Sequence, residues 1–171
     1  MKSEEIFTRA LEFEKKIRDL YVSAVKTIDH EKGKAFFAKL ANDEQSHIDF
    51  LEYSLEQLKT NSDLDISRLT ATTVPYVAEL DTTIEKMKTK IPEQMLGDIK
   101  RVLNSALKLE VETTAFYKNA FEDAQEGPIK EVLEKFYTIE QKHVDAVQVE
   151  LDFSSDNGHW FDFMEKDMEE G

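Results

Sequence analysis

Two short motifs of the same form carry the chemistry that this sequence could support. Glu44 and His47 form a Glu-x-x-His motif, and Glu140 and His143 repeat it 96 positions later. Residues three apart on an α-helix lie on one face, one turn above the other. Each pair can therefore present a carboxylate and an imidazole to the same metal ion. Because a motif this short also arises by chance, its meaning depends on what the rest of the chain places beside it.

The chain around these motifs repeats with the same offset and without a gap. Glu14 is matched by Glu110, and Tyr21 is matched by Tyr117. Each half reads Glu-x6-Tyr, followed by Glu-x-x-His thirty residues after the first glutamate. This doubling is much stronger evidence for a metal site than either Glu-x-x-His motif alone.

The apolar residues around the motifs recur at alternating steps of three and four, which predicts four amphipathic helices. The first helix is expected to begin with Ser3 as its N-cap, and Gly33 marks the turn to the second. The third is expected to start near Pro92, and Gly127-Pro128 separates it from the fourth. The motif residues interrupt the inward-facing stripes. Since burying an ionised carboxylate alone is costly, they need a cation, a proton or a hydrogen-bonded partner.

Each half is expected to form an antiparallel αα-hairpin, because the turn inside it is short. The predicted fold is an all-α four-helix bundle. Its two hairpins, residues about 3–58 and 93–151, are related by a pseudo-twofold axis. A long crossover, residues about 60–92, joins them, and residues 76–90 are expected to form a separate short helix within it.

The bundle domain is predicted to span residues 1–152 and to be followed by an acidic tail, residues 153–171. The apolar residues of this tail cluster around Trp160. Two alternatives remain open for the tail: it docks on the bundle or on a neighbouring subunit, or it is a partly ordered extension.

The composition agrees with a helical protein and excludes several functions. The 171 residues include five glycines, three prolines and no cysteine. Without cysteine, the chain has neither disulfides nor thiolate zinc or iron centres. The net charge of −14 argues against nucleic acid as a partner. Because the charged N-terminus leads directly into a helical pattern, we expect no secretory or membrane segment and predict a cytoplasmic location.

Antiparallel packing should bring Glu14 and Glu44 to similar heights, so that four carboxylates and two imidazoles converge. Clustered carboxylates repel one another and take up protons or cations. Two divalent ions would balance the four charges, and we expect Glu44 and Glu140 to bridge them. Carboxylate and imidazole ligands without thiolate suit iron, manganese or zinc.

Tyr21 and Tyr117 are candidate catalytic residues, since they lie two turns from the first glutamate of each half. Their hydroxyls would bond the site carboxylates or act as nearby electron donors. The alternative is that they are core aromatics with a satisfied hydroxyl. Four polar residues next to the motifs are weaker candidates as partners of the imidazoles, and solvated positions are favoured for them: Gln45, Asp49, Gln141 and Asp145. His30 and His159 are not expected to be ligands.

The doubled pattern resembles the ferritin-like di-iron and di-manganese carboxylate proteins. Within these it is most similar to the rubrerythrin family, through Ala10-Leu11-x-x-Glu14 to Tyr21 and through Leu40-Ala41-x-Asp43-Glu44-x-x-His47. The resemblance implies a ferritin-like bundle and a di-iron centre. Its six ligands would be Glu14, Glu44, His47, Glu110, Glu140 and His143.

The resemblance further implies a redox enzyme that reduces hydrogen peroxide or dioxygen. The chain lacks the rubredoxin domain usual in the family, so an external protein would supply the electrons. A homo-oligomer is expected, with a dimer favoured. Thr113 stands where rubrerythrins commonly carry an additional glutamate, and the symmetric ligand set also resembles that of bacterioferritin. The alternatives are a ferroxidase that feeds an iron store and a non-redox bundle that binds manganese or zinc.

Overall fold

The computed structural model describes residues 2–70 and 88–161. Four long helices make up most of it: α1 (Ser3–Thr27), α2 (Glu31–Lys59), α3 (Glu93–Asp123) and α4 (Pro128–Asn157). A single 3₁₀ turn, Ile66–Arg68, follows α2 in the described part of the crossover. Two three-residue strands, β1 (Lys88–Lys90) and β2 (His159–Phe161), pair antiparallel. The predicted all-α four-helix bundle is confirmed.

The helices pack as the two predicted hairpins. α1 lies against α2, α3 lies against α4, and α1 also packs directly on α3. Within the described ranges, no helix combines the length and the apolar character needed to span a membrane.

The predicted starts of α1 and α2 need correction. Lys2, not Ser3, is the N-cap of α1, because the Lys2 carbonyl accepts the first helical hydrogen bond from the Ile6 amide. Gly33 does not form the turn before α2 but lies in its first helical turn. His30 is the N-cap there, since its Nδ1 accepts a 3.0 Å hydrogen bond from the Gly33 amide. A histidine therefore caps this helix end as a short polar side chain would.

The sequence predicts a short helix over residues 76–90, and residues 76–87 of it lie outside the described residues. Its last three residues form β1 instead, with Thr89 opposite Trp160 in the register of the two strands. The helix prediction is wrong for these three residues. Their backbone hydrogen bonds go to a strand about seventy positions away, and no local pattern indicates that partner.

The start of the predicted tail packs on the bundle. α4 continues past position 152 and ends where Gly158 adopts a left-handed conformation, with φ of 64°. The chain then turns back as β2, which buries Trp160 and Phe161. The Phe161 amide donates a 2.7 Å hydrogen bond to the buried Glu150 carboxylate. Of the alternatives for the tail, docking on the bundle is the one observed for residues 159–161.

Two hydrophobic clusters divide the core along the bundle axis. α1 contributes Phe7 and Ala10 to one cluster and Ile17 and Tyr21 to the other, with Glu14 between them. A polar layer therefore crosses the middle of the bundle with apolar packing on both sides. This arrangement separates the layer from solvent at both ends.

Candidate metal centre

Every helix of the bundle contributes to the polar layer. α1 and α3 each supply one glutamate, and α2 and α4 each supply a glutamate and a histidine one turn apart. All of these side chains are at most 1% exposed. The structure thus brings together the six predicted ligands: Glu14, Glu44, His47, Glu110, Glu140 and His143.

The six residues form two overlapping groups of four. In each group, one potential ligand atom from every residue lies within 4.8 Å of those of the others. Position A is defined by Glu14, Glu44, His47 and Glu140, and position B by Glu44, Glu110, Glu140 and His143. Glu44 and Glu140 belong to both groups, as residues that bridge two ions must. The two imidazole rings lie 5.9 Å apart and nearly parallel.

Several atoms of this layer are buried without a hydrogen-bond partner among the described residues. They are Oε2 of Glu14, Glu44 and Glu110, both carboxyl oxygens of Glu140, and Nδ1 of His47. A buried polar atom without a partner costs about 1–3 kcal/mol. A concentration of such atoms in one layer is difficult to reconcile with a purely structural polar core. It fits residues that coordinate metal ions.

Two tyrosines hold Glu14 and Glu110 in place. The Tyr21 hydroxyl donates a 2.7 Å hydrogen bond to Oε1 of Glu110, and the Tyr117 hydroxyl donates a 2.8 Å bond to Oε1 of Glu14. Each bond satisfies one carboxylate oxygen and leaves Oε2 without a hydrogen bond. Glu14 and Glu110 therefore each keep one oxygen that could coordinate a metal ion. Both tyrosines are core aromatics whose hydroxyl is bonded to a site carboxylate, and their role as nearby electron donors stays a prediction.

The family model described as Rubrerythrin matches residues 5–151 of the chain. This chain belongs to the rubrerythrin family. The match covers both hairpins and therefore all residues of positions A and B. No curated protein and no solved structure matches the chain. Family membership and the buried carboxylate and histidine groups together indicate a protein of the di-iron class.

Burial and mutual repulsion keep protons on part of this rubrerythrin-family site in the absence of metal. Burial raises the pKa of Glu44 to about 8, and the charges of Glu14 and Glu110 add to the shift. The pKa of Glu140 is also raised, by burial and then by the same two charges and that of Glu44. Burial alone would raise the pKa of Glu14, but its interactions with the neighbouring Glu44 carboxyl and the charge of His47 overcome this effect and lower the pKa to about 2.

Both imidazoles also hold protons. Burial alone would lower the pKa of His47, but the charge of Glu14 and the close approach of the other carboxylates to Nδ1 raise it well above 6.5. The charge of Glu110 and a hydrogen bond to Asp43 likewise raise the pKa of His143 against the effect of burial. A divalent cation must displace these protons, so metal uptake by this site is coupled to proton release.

The tyrosine hydroxyls remain protonated donors. Burial raises the pKa of Tyr21 well above 10, and the charge of Glu110 raises it further. Burial and the charge of Glu14 act in the same way on Tyr117. At neutral pH both residues therefore donate hydrogen bonds and do not become phenolates.

Asp43 is a site residue that the sequence analysis missed as a partner of the imidazoles. Its Oδ2 lies 3.0 Å from Nε2 of His143, whose Nδ1 lies 2.9 Å from Glu44. One indication of this role is present in the sequence, because Asp43 directly precedes the glutamate of the first Glu-x-x-His motif. The contact, however, is with the histidine of the opposite hairpin. Of the candidates that were named, Gln45 and Asp49 are exposed and bonded to each other, which confirms a solvated position for them.

Thr113 is fully buried in the layer next to Glu110. Its hydroxyl donates a 2.7 Å hydrogen bond to the Leu109 carbonyl of its own helix. It therefore adds no carboxylate where the rubrerythrin family commonly has a glutamate, and positions A and B keep equal numbers of glutamates and histidines.

Proposed function

We propose that this protein is a di-iron oxidoreductase that reduces hydrogen peroxide or dioxygen with electrons from an external donor protein. The observation that carries the proposal is the sharing of Glu44 and Glu140 by two buried ligand groups. Shared carboxylates can hold two ions side by side, so that two one-electron metal couples together supply two electrons to one oxidant. A single structural ion would need only one such group.

The ligand types support iron as the native metal. Carboxylates and imidazoles without thiolate suit iron, manganese and, less specifically, zinc. Four carboxylates balance the charge of two divalent ions. When bound, two ferrous ions supply the two electrons that convert hydrogen peroxide and two protons into two molecules of water.

The side chains of the site have distinct roles in this proposal. Glu14 and Glu110 would be terminal ligands, each holding one ion through Oε2, because Oε1 of each is held by a tyrosine. Glu44 and Glu140 would be shared by the two ions, since both belong to positions A and B. The imidazoles would bind through Nδ1, the nitrogen that faces the carboxylates. The hydrophobic clusters on both sides keep bulk water out of the layer.

Tyr21 and Tyr117 act next to the site without losing their protons. Their hydroxyls fix the terminal carboxylates in one orientation, which reduces the reorganisation needed on metal binding. Both hydroxyls are hydrogen-bonded to the side-chain carboxylates of proposed ligands, and we assign the two tyrosines as the residues that tune the terminal glutamates during turnover.

Rapid mixing of protein loaded anaerobically with ferrous iron tests the proposal. One sample is mixed with hydrogen peroxide and a second with dioxygen, and near-ultraviolet absorbance reports oxidation to the ferric state. A much faster change with peroxide supports a peroxidase, and a faster change with dioxygen supports an oxidase or ferroxidase. Zinc-loaded protein is the control, because zinc has no accessible second oxidation state. No change with either oxidant, despite two bound irons per chain, would contradict the redox proposal.

A ferroxidase that feeds an iron store is the second candidate. Thr113 in place of an additional carboxylate leaves positions A and B with the same ligand types, which favours this candidate. Iron storage requires a closed shell of many subunits, whereas we propose a homodimer. Native mass spectrometry separates the two: a mass of two chains supports the peroxidase or oxidase, and a large closed assembly supports storage.

A further inference from the structure

The two halves of the site differ at the residue that precedes each motif glutamate. Asp43 holds this place in the first half and Ile139 in the second. Both side chains are buried, with exposures of 6% and 4%. The carboxylate of Asp43 contacts Nε2 of His143 at 3.0 Å. Under the pseudo-twofold relation, Ile139 is the counterpart of Asp43 for His47, and an alkyl side chain cannot accept a hydrogen bond.

The surroundings of the imidazoles reflect this difference. His143 lies between Asp43 at Nε2 and Glu44 at Nδ1. The ring of His47 packs edge-on against Phe136, with centroids 5.3 Å apart. Among the described residues, the ionic contacts of His47 are all made by Nδ1, toward Glu14, Glu44 and Glu140. One imidazole is therefore held at both nitrogens, and the other at one.

A carboxylate behind a metal-binding histidine strengthens the site. It fixes the tautomer with hydrogen on the far nitrogen, orients the ring, and increases electron donation to the metal. Loss of such a partner typically costs about 10- to 100-fold in metal affinity. With Nε2–H donated to Asp43, the lone pair of His143 Nδ1 is directed into position B.

The other parts of the site are matched between the two positions. Each has one terminal glutamate held by a tyrosine, one histidine, and the same two shared carboxylates. Asp43 is therefore a polar difference at the imidazoles between two otherwise similar ligand sets.

We infer that positions A and B are inequivalent, and that Asp43 is a positioning residue that makes position B bind a divalent transition-metal ion first and more tightly. The inference rests on the proposed di-metal site but not on its redox activity. A protein that binds two ions in two steps and reacts with no oxidant would contradict the proposed function and leave this inference standing.

Anaerobic titration of the metal-free protein with Co²⁺ tests the inference, followed by calorimetry and by visible cobalt absorption. Two steps are expected, with affinities separated by about 10- to 100-fold. Asp43→Asn keeps the shape of the side chain but removes its charge. It should weaken the tight step by about 10-fold or more and leave the weak step unchanged. Asp49→Asn, on an exposed position of the same helix, is the matched control and should change neither step.

Two further variants show which of positions A and B gives each Co²⁺ binding step. His143→Ala should remove the tight step, and His47→Ala should remove the weak one. Two ions bound with one affinity in the wild type would overturn the inference, as would equal weakening of both steps by Asp43→Asn. Loss of the tight step in His47→Ala would also overturn it. Circular dichroism of each variant checks that it is folded. The titration of the wild-type protein shows whether the two positions have different affinities, and it needs no substitution. A chain that binds no Co²⁺ would contradict the metal site itself.

Discussion

The hydroxyl of Tyr21 donates a 2.7 Å hydrogen bond to Glu110, a residue 89 positions later in the opposite hairpin. Tyr117 makes the reciprocal bond to Glu14. The two bonds link α1 and α3 across the bundle axis in both directions. The geometry of the candidate metal centre is therefore coupled to the packing of the two hairpins, and changes at the tyrosines should affect both.

Removal of either hydroxyl should destabilise the metal-free protein. In Tyr21→Phe, Oε1 of Glu110 is left buried without its donor, which should lower the free energy of unfolding by about 1–3 kcal/mol. Tyr117→Phe should have a similar effect. Urea denaturation followed by circular dichroism measures the change. Tyr137→Phe is the control, because that partly buried tyrosine packs on Phe121 and belongs to neither ligand group. An equal effect in this control would contradict the assigned hydrogen bonds.

Loss of a shared carboxylate should impair both metal positions. Glu44→Ala should lower the bound metal from two ions per chain to fewer than one, measured by elemental analysis after anaerobic loading and dialysis. The thermal midpoint of the loaded protein should fall with it, because ions that bind only the folded state stabilise that state. Glu52→Ala, an exposed position on the same helix, should retain both ions. A Glu44→Ala protein that keeps two ions would contradict the ligand assignment.

Stability of the metal-free protein should fall as the pH is raised. Burial raises the pKa of Glu44 from 4.5 to about 8. A group whose pKa is higher in the folded protein than in the unfolded chain stabilises the fold fully at a pH below its unfolded-state pKa. This stabilisation is lost as the pH rises through the folded-state pKa. The free energy of unfolding should therefore decrease between pH 4.5 and about 8, and the raised pKa values of both histidines act in the same direction.

Urea denaturation at a series of pH values, with a chelator present, measures this decline. Glu44→Gln cannot ionise at this position and should give a shallower slope over the same window. Glu14 acts in the opposite sense, since its pKa is lowered to about 2 and its contribution is lost only as the solution becomes more acidic than pH 4.5. A stability that rises steadily from pH 5 to 8 would contradict the direction of these shifts.

Metal uptake should release protons, because the imidazoles and part of the carboxyls hold protons before binding. Addition of Zn²⁺ to weakly buffered metal-free protein at pH 7 should acidify the solution, as measured with an indicator dye. The apparent affinity should increase with pH. His143→Ala should release fewer protons than the wild type. Binding of two ions without proton release would contradict the protonated state assigned to the metal-free layer.

Trp160 should stabilise the fold and report on it. It is the sole tryptophan of the chain, is 1% exposed, and packs edge-on against Phe36. Its emission should therefore be blue-shifted in the folded protein and shift to the red on unfolding. Trp160→Ala should cost about 3–5 kcal/mol, the usual range for deleting a large buried aromatic side chain. Val22→Ala, at a partly exposed site of α1, should cost much less. Similar losses in the two variants would contradict the docking of β2.

The four-helix bundle and the residues that converge in it can be predicted from the sequence. The period of an α-helix decides which residues share a face, so Glu44 and His47 had to lie together, as did Glu140 and His143. Each residue of a helix adds about 1.5 Å along the helix axis. Because the repeat has no gap, the motif residues therefore lie at equal heights in the two hairpins. These relations are local to a helix or follow from symmetry, and the structure brings the six predicted residues into one layer.

The contacts between side chains on different helices could not be predicted from the sequence and are known from the fold. Tyr21 bonds Glu110 rather than Glu14 of its own helix, Asp43 contacts His143, and β1 pairs with β2. Such contacts depend on how far one helix is shifted and rotated against another and on where the chain returns after a crossover. Side-chain packing over the whole core sets these quantities. The spacing of residues along one segment determines the face that each side chain occupies, but the partner comes from a distant part of the chain.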